Sequence, residues 1–254
     1  QEAAIPVLLA GTDACLTAET GTGKTLAYAL PIFCGLDAAR PGTQAVILAP
    51  THELAIQIHR QCCDLAQNAG LAIRSLLLIG GTSMDRQLDK LKTKPQVVVG
   101  SPGRIRDLMT MGKLKTQAVR WVVVDEADRL LVGEALSDIR AILKGMPAKR
   151  QLVFASATEQ PESAGPMAAL APGAVMLRPG AAAVNADITH LYVVCDQRDK
   201  PKLLRQLLAA MNPERALVFA QDSDTAERIA AQLDHHHIPV GELRTDLDKL
   251  DRKR

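Results

Sequence analysis

With 254 residues, the chain is long for one compact domain and short for two full ones. Its 47% apolar and 23% charged residues make an ordinary globular composition, which excludes a disordered or fibrous chain. Aromatics at 2% exclude stacked aromatic platforms as the main way to hold a nucleic acid, and a net charge of +2 names no partner, since only local clustering of charge would.

Short apolar runs over 14–17, 45–49, 75–79, 97–99, 121–124 and 152–154 predict strands. Most are near-continuous Val, Ile and Leu, the pattern of strands covered on both faces. Helical patterns fill the gaps. Leu54, Ile58 and Leu65 share one face of a segment that starts near His52, and Leu88 and Leu91 do the same after Gly81. This alternation predicts a doubly wound parallel sheet. After Arg178 the pattern weakens, and small residues over 179–189 predict a linker. It then restarts, with strands expected over 191–194, 216–220 and 240–243 and helices over 200–211 and 225–235. The expected domains are therefore 1–178 and a partial second α/β domain over 190–254.

Ala18-Glu-Thr-Gly-Thr-Gly-Lys-Thr25 follows a predicted strand and opens a predicted helix. It fits the phosphate-binding loop, with Ala18 where the strict pattern has Gly. Gly21 and Gly23 let backbone N–H groups turn toward phosphates without a Cβ clash. The helix N-terminus adds a favourable dipole, Lys24 reaches the β- and γ-phosphates, and the Thr25 hydroxyl is a ligand for Mg²⁺. The second anchor is Trp121-Val-Val-Val-Asp-Glu-Ala-Asp128, an apolar strand ending in carboxylates. Asp125 is expected to hold Mg²⁺ through water, and Glu126 to orient or deprotonate the attacking water. Alone, the acidic run is equally well a helix N-terminus that favours negative charge. Together with Lys24 and Thr25 it completes a Mg-nucleotide site in the usual chain order.

Asp125-Glu126-Ala127-Asp128 also spells the motif that names the DEAD-box RNA helicases, and other stretches resemble that family's motifs in the same order. The opening Gln1-Glu-Ala-Ala-Ile-Pro6 resembles the end of the adenine-recognition segment, with Gln1 as the adenine-reading residue. Residues Ala18, Glu19, Thr20, Gly21, Thr22, Gly23, Lys24 and Thr25 form the nucleotide loop, and Asp128 joins the nucleotide-binding set. Pro50 and Thr51, Gly80 and Gly81, and Ser101, Pro102, Gly103 and Arg104 resemble the RNA-contacting motifs. Ser156 and Thr158 resemble the motif that couples hydrolysis to strand separation, and 216–220 the opening of the second domain's set. Bare glycine backbone, hydroxyls and one arginine suit sequence-independent phosphate and sugar contacts, with the 2′-hydroxyl marking RNA. Taken singly, Gly80-Gly81 is also a turn, Ser101 a helix cap and Arg104 a solvated side chain.

The chain departs from the family pattern at His52, where Arg is usual, and mildly at Ser101, where Thr is common. Arg244-Thr245 stands for a common His-Gly pair and Lys249 for a common Gln, while Arg252 fits. The family's later arginine-finger motifs do not follow Arg254, which reads as a partial chain that binds nucleotide far better than it turns it over.

Other features carry less. Cys15, Cys34, Cys62, Cys63 and Cys195 form no Cys-x-x-Cys pair, so no zinc site is expected, and their scatter suits a cytoplasmic or other reducing compartment. No long apolar run or signal segment points to a membrane, and an opening Gln1 leaves organellar targeting open. His235-His-His237, the basic 252–254 end and Met109 and Met111 are read as solvated or packing residues.

The resemblance implies an α/β fold of two RecA-like doubly wound parallel-sheet domains in tandem, the second truncated. It implies ATP and Mg²⁺ as cofactors in an interdomain cleft and RNA as partner of a monomeric core. The implied activity is that of an ATP-dependent RNA helicase coupling hydrolysis to local duplex unwinding. The alternative is an ATP-gated RNA clamp or assembly factor. The pattern at Ser101–Arg104 and Ser156–Thr158 argues against a DNA-directed translocase.

Overall fold

The computed structural model describes residues 1–19, 21–158, 160–178 and 188–243. Thr20, most of the expected linker over 179–189, and Arg244, Thr245, Lys249 and Arg252 lie outside the described residues. The chain divides into two compact units, Gln1–Ala186 and Asp187–Arg254.

In the first unit, helix α1 (Ala4–Leu9) leads into β1 (Ala14–Thr17) and α2 (Lys24–Gly35). Strand β2 (Ala45–Leu48) is followed by α3 (His52–Asn68), β3 (Ser75–Leu78) by α4 (Met84–Leu91), and β4 (Val97–Gly100) by α5 (Pro102–Thr110). Strand β5 (Trp121–Asp125) runs into α6 (Ala127–Leu130) and α7 (Gly133–Lys144), and β6 (Gln151–Ser156) into α8 (Pro161–Leu170) and β7 (Val175–Leu177). All six expected strands form, within a residue or two of their expected ends. Strand β7 was not expected. It is a three-residue edge strand, largely exposed, so its sequence carries no run of buried positions.

The strands lie in the order β3-β4-β2-β5-β6-β1-β7, and every pairing is parallel. Such a sheet must be covered on both faces, because each pleat sends alternate side chains to opposite sides. Val97, Val99 and Val123 face one layer, built with Ala27, Tyr28 and Ile32 of α2 and Ala55, Ile58 and Cys62 of α3. Val98, Val122 and Val124 face the other, built with Ile105 and Leu108 of α5 and Ile139 and Ile142 of α7. Leu54, Ile58 and Leu65 do share the core-facing side of α3, with Ile58 fully buried. On α4 the expected Leu88 and Leu91 pack only half-buried against the core, and the buried residue is Gln87. The reason is polar: its carboxamide donates to the Ile79 carbonyl at 2.9 Å and to the Thr82 hydroxyl, which satisfies the loop between β3 and α4.

The second unit holds a short 3₁₀ turn (Gln197–Asp199), α9 (Lys200–Met211) and α10 (Ser223–His235). Both expected helices are present, and α10 is capped by Asp222, which accepts the Thr225 N–H at 2.7 Å. The expected strands over 191–194, 216–220 and 240–243 do not form among the described residues. Tyr192 is 91% exposed and Phe219 88%. Helix hydrogen bonds close within four residues, whereas a strand needs a paired neighbour, which these runs lack among the described residues.

Candidate functional site

Parallel strands all end on one edge of the sheet, so the loops that leave their C-termini open on the same side. Every motif of interest in the first unit lies there. Strand order sorts them. The loops after the neighbours β5, β6 and β1 carry Asp125 and Glu126, Ser156 and Thr158, and Ala18 to Thr25. Those after β3, β4 and β2 carry Gly80 and Gly81, Ser101 to Arg104, and Pro50 and Thr51. Neighbouring strands stand about 4.8 Å apart, so each set forms a contiguous strip.

The loop after β1 takes left-handed backbone at Gly21 (φ 85°) and Gly23 (φ 84°), a conformation glycine adopts without Cβ strain. Gly23 sits at the N-cap of α2, so Lys24 and Thr25 open the helix. The Lys24 ammonium folds back on the loop, donating to the carbonyls of Ala18 and, at 2.8 Å, of Glu19. Thr22 also donates to the Glu19 carbonyl at 2.8 Å. Gln1 lies against the same loop, its carboxamide donating to the Gly23 carbonyl at 3.3 Å. The Ala18 N–H donates to the Ser156 carbonyl at 3.1 Å and ties the loop to β6.

The carboxylates are held just as closely. Asp125 is buried at the end of β5. Its Oδ2 accepts from the Tyr28 hydroxyl at 2.7 Å and its Oδ1 from the Glu126 N–H at 2.9 Å. Burial pushes the Asp125 carboxyl above its usual range, against the Tyr28 and Glu126 hydrogen bonds and the charge of Lys24. Burial likewise pulls Lys24 down, against the attraction of Asp125, Asp128, Glu126 and Glu19. In both groups desolvation outweighs the opposite charges nearby. The site therefore keeps cation and anion poorly solvated, where interactions with an entering charged ligand are strong.

Glu126 has left-handed backbone (φ 47°), which costs a non-glycine residue about 1–2 kcal/mol. Its half-exposed ion pair with Arg129, at 2.8 Å, returns no more than about 1 kcal/mol. The turn is held instead by backbone bonds, since the Glu126 carbonyl accepts from Arg129 N at 2.9 Å and Leu130 N at 3.2 Å. Two residues after Glu126, Asp128 Oδ2 accepts from the Thr158 hydroxyl at 2.6 Å, and the Ser156 hydroxyl donates to the Thr158 carbonyl at 2.6 Å. Asp128 Oδ1 is buried with no hydrogen-bond partner. The turns after β5 and β6 are thus bonded to each other.

In the other strip Thr51 caps α3, accepting from the Leu54 N–H at 3.2 Å. The His52 ring lies over the glycine pair: a Cβ on Gly80 would stand 3.6 Å from its Nε2, and one on Gly81 3.8 Å from its Cε1. Ser101 occupies the N-cap of α5 with Pro102 behind it, yet its hydroxyl makes no cap bond. Arg104 reaches the start of α4, with Nη1 3.0 Å from the Met84 sulfur.

Sequence reasoning passed over three residues. Tyr28 had a faint signal, being one turn beyond Lys24 and Thr25 on a helix. Arg129 had its spacing of three from Glu126. Gln87 had none.

The residues present fit a nucleotide with Mg²⁺. One buried carboxylate and one hydroxyl beside a phosphate-type loop are what Mg²⁺ uses when phosphates and water complete its shell. No helix among the described residues is long and apolar enough to cross a membrane.

Residues 1–164 match the family model described as DEAD/DEAH box helicase. The chain is 38% identical over 253 residues to the probable ATP-dependent RNA helicase YfmL of Bacillus subtilis, covering 99% of this chain and 66% of that protein. It is 35% identical to the DEAD-box ATP-dependent RNA helicase CshC of Bacillus cereus, covering 100% of this chain and 64% of CshC. The chain thus spans about two thirds of these relatives. Among solved structures, Saccharomyces cerevisiae Dbp5 bound to RNA and ADP BeF3 superposes with a TM-score of 0.84 at 28% identity, covering 99% of this chain and 64% of that one.

Proposed function

Because this chain belongs to the DEAD/DEAH box helicase family, we propose that it binds ATP with Mg²⁺ on the β5-β6-β1 strip and RNA backbone on the β3-β4-β2 strip, and couples ATP hydrolysis to local RNA remodelling. The observation that carries this reading is the sheet order, which places the two motif sets side by side on one edge. Lys24 and the loop amides would bind the phosphates, with Gln1 facing the base. Thr25 and Asp125 would hold Mg²⁺, which when bound neutralises charge on the transferring phosphate. Glu126 would orient or deprotonate the attacking water. The bonds from Asp128 to Thr158 and within Ser156–Thr158 give the turn after β6 a way to sense that site. RNA ties rest on the relatives' names, on RNA in the Dbp5 complex, and on bare glycine backbone at Gly80, Gly81 and Gly103 with hydroxyls at Thr51 and Ser101.

Steady-state ATP turnover with and without single-stranded RNA, and with DNA of the same sequence, tests the reading. RNA is expected to raise turnover and DNA to leave it unchanged. Equal stimulation by both would remove RNA as the partner. Retention of RNA under ATP without turnover would make the protein a clamp.

Gln87 offers a narrower check. Replacing it by Met keeps its length but removes one buried and one part-buried hydrogen bond, each worth about 0.5–1.5 kcal/mol, from the loop that presents Gly80 and Gly81. RNA affinity is expected to fall about five- to tenfold, since disordering that loop costs about 1–1.5 kcal/mol. Affinity for an ATP analogue without RNA should stay the same. If RNA binding is unaltered while the melting temperature drops, the glycine pair is only a turn.

A further inference from the structure

One buried side chain holds the carboxylate proposed to carry the metal. Tyr28 is fully buried on α2, one turn after Thr25, and its hydroxyl donates to Asp125, 97 positions further along the chain. A phenol carries one hydrogen, and here it is committed to Asp125. The other carboxylate oxygen is held by the Glu126 N–H. Both Asp125 oxygens thus have fixed partners, and the plane of the carboxylate is set before any ion arrives.

Packing alone does not require this hydroxyl. Phe would fill the same space between α2, α3 and the sheet, and a buried hydroxyl costs free energy unless it is bonded. Its bond leads to the carboxylate that must face the ion. Outer partners of this kind fix the orientation of metal ligands.

We propose that Tyr28 is a positioning residue of the magnesium site, aligning the Asp125 carboxylate through its phenol. The inference rests on the nucleotide reading above. It is tested on the 254-residue chain by titrating Mg²⁺ against binding of a fluorescent ADP, with a parallel series in EDTA. In Tyr28→Phe, affinity in EDTA is expected to stay at the wild-type value. The Mg²⁺ concentration that gives half of the metal-dependent gain is expected to rise about tenfold or more, the scale for losing an outer partner of a metal ligand. Replacing Tyr28 with para-aminophenylalanine keeps an N–H donor at the same place and should restore the wild-type half-saturation. This second variant also keeps a polar partner for the buried carboxylate, so it gives a readout even where Tyr28→Phe does not fold. Half-saturation unchanged in Tyr28→Phe, with only a lower melting temperature, would make the phenol structural and overturn the inference. So would a folded amino variant that requires tenfold more Mg²⁺ than wild type. If the wild-type chain binds ADP with no Mg²⁺ effect, the metal site itself is wrong and the inference goes with it. No ADP binding at all would instead remove the nucleotide reading.

Discussion

Glu126→Gln is expected to lower RNA-stimulated ATP turnover by about 10²–10⁴-fold, the range for a group that handles a proton in the transition state. Glutamine keeps the size of the side chain and a carbonyl oxygen, so a water can still be bound. It lacks the negative charge that makes the oxygen basic. The change also breaks the ion pair with Arg129, but that pair is half-exposed and contributes at most about 1 kcal/mol. The turn itself is held by backbone bonds to Arg129 and Leu130, which the substitution does not touch. Nucleotide affinity should therefore stay close to wild type. Phosphate release under saturating ATP and RNA measures the first quantity, and equilibrium binding of an ATP analogue the second. Turnover within a factor of about ten of wild type would place the base elsewhere, since proton-handling groups contribute more than that.

Lys24→Ala is expected to weaken binding of an ATP analogue about a hundredfold. Two charge-assisted hydrogen bonds to phosphate oxygens, at about 1.5–3 kcal/mol each, are lost, and part of that is returned because the free lysine is already bonded. Its ammonium donates to the carbonyls of Ala18 and Glu19, and both bonds must break before it can reach a phosphate. The effect on stability is smaller because two terms oppose each other. The lysine is held below its usual pKa by burial, so removing its charge relieves desolvation. Removing it also takes away a cation that attracts Asp125, Asp128 and Glu126. Isothermal titration of the variant, beside a melting curve, separates the two. A variant that keeps wild-type affinity would show that the ammonium never leaves the carbonyls, and the loop would no longer be a phosphate site.

The two substitutions probe opposite sides of one arrangement. Lys24 reaches the site from the start of α2 and Glu126 from the end of β5, and β6 runs between their strands. Neither residue is adjacent to the other in the chain. Both positions were legible in the sequence as candidates, because a loop with glycines, a lysine and a helix start falls within eight positions, and Glu126 directly follows an apolar strand that ends in Asp125. These are local demands, and local demands leave local patterns.

The sequence by itself also determined the six strands of the first unit and the long helices of both, through apolar runs and through helical periodicity at Leu54, Ile58 and Leu65. Tertiary structure decided what depends on partners far away. Strand order put the loops proposed to bind nucleotide on one strip and those proposed to bind RNA on the other, and no spacing in the chain encodes that β2 lies between β4 and β5. It buried Gln87 rather than Leu88 because the carbonyl of Ile79 and the hydroxyl of Thr82 needed a donor. It set Tyr28 against Asp125 across 97 positions. It left 191–194, 216–220 and 240–243 without strand pairing among the described residues, although the apolar runs at 191–194 and 216–220 resemble those of β2 and β4. The division follows the range of the forces. Helix bonds and backbone preferences act within a few residues and can be read along the chain, whereas sheet pairing and buried polar bonds form only between segments that folding brings together.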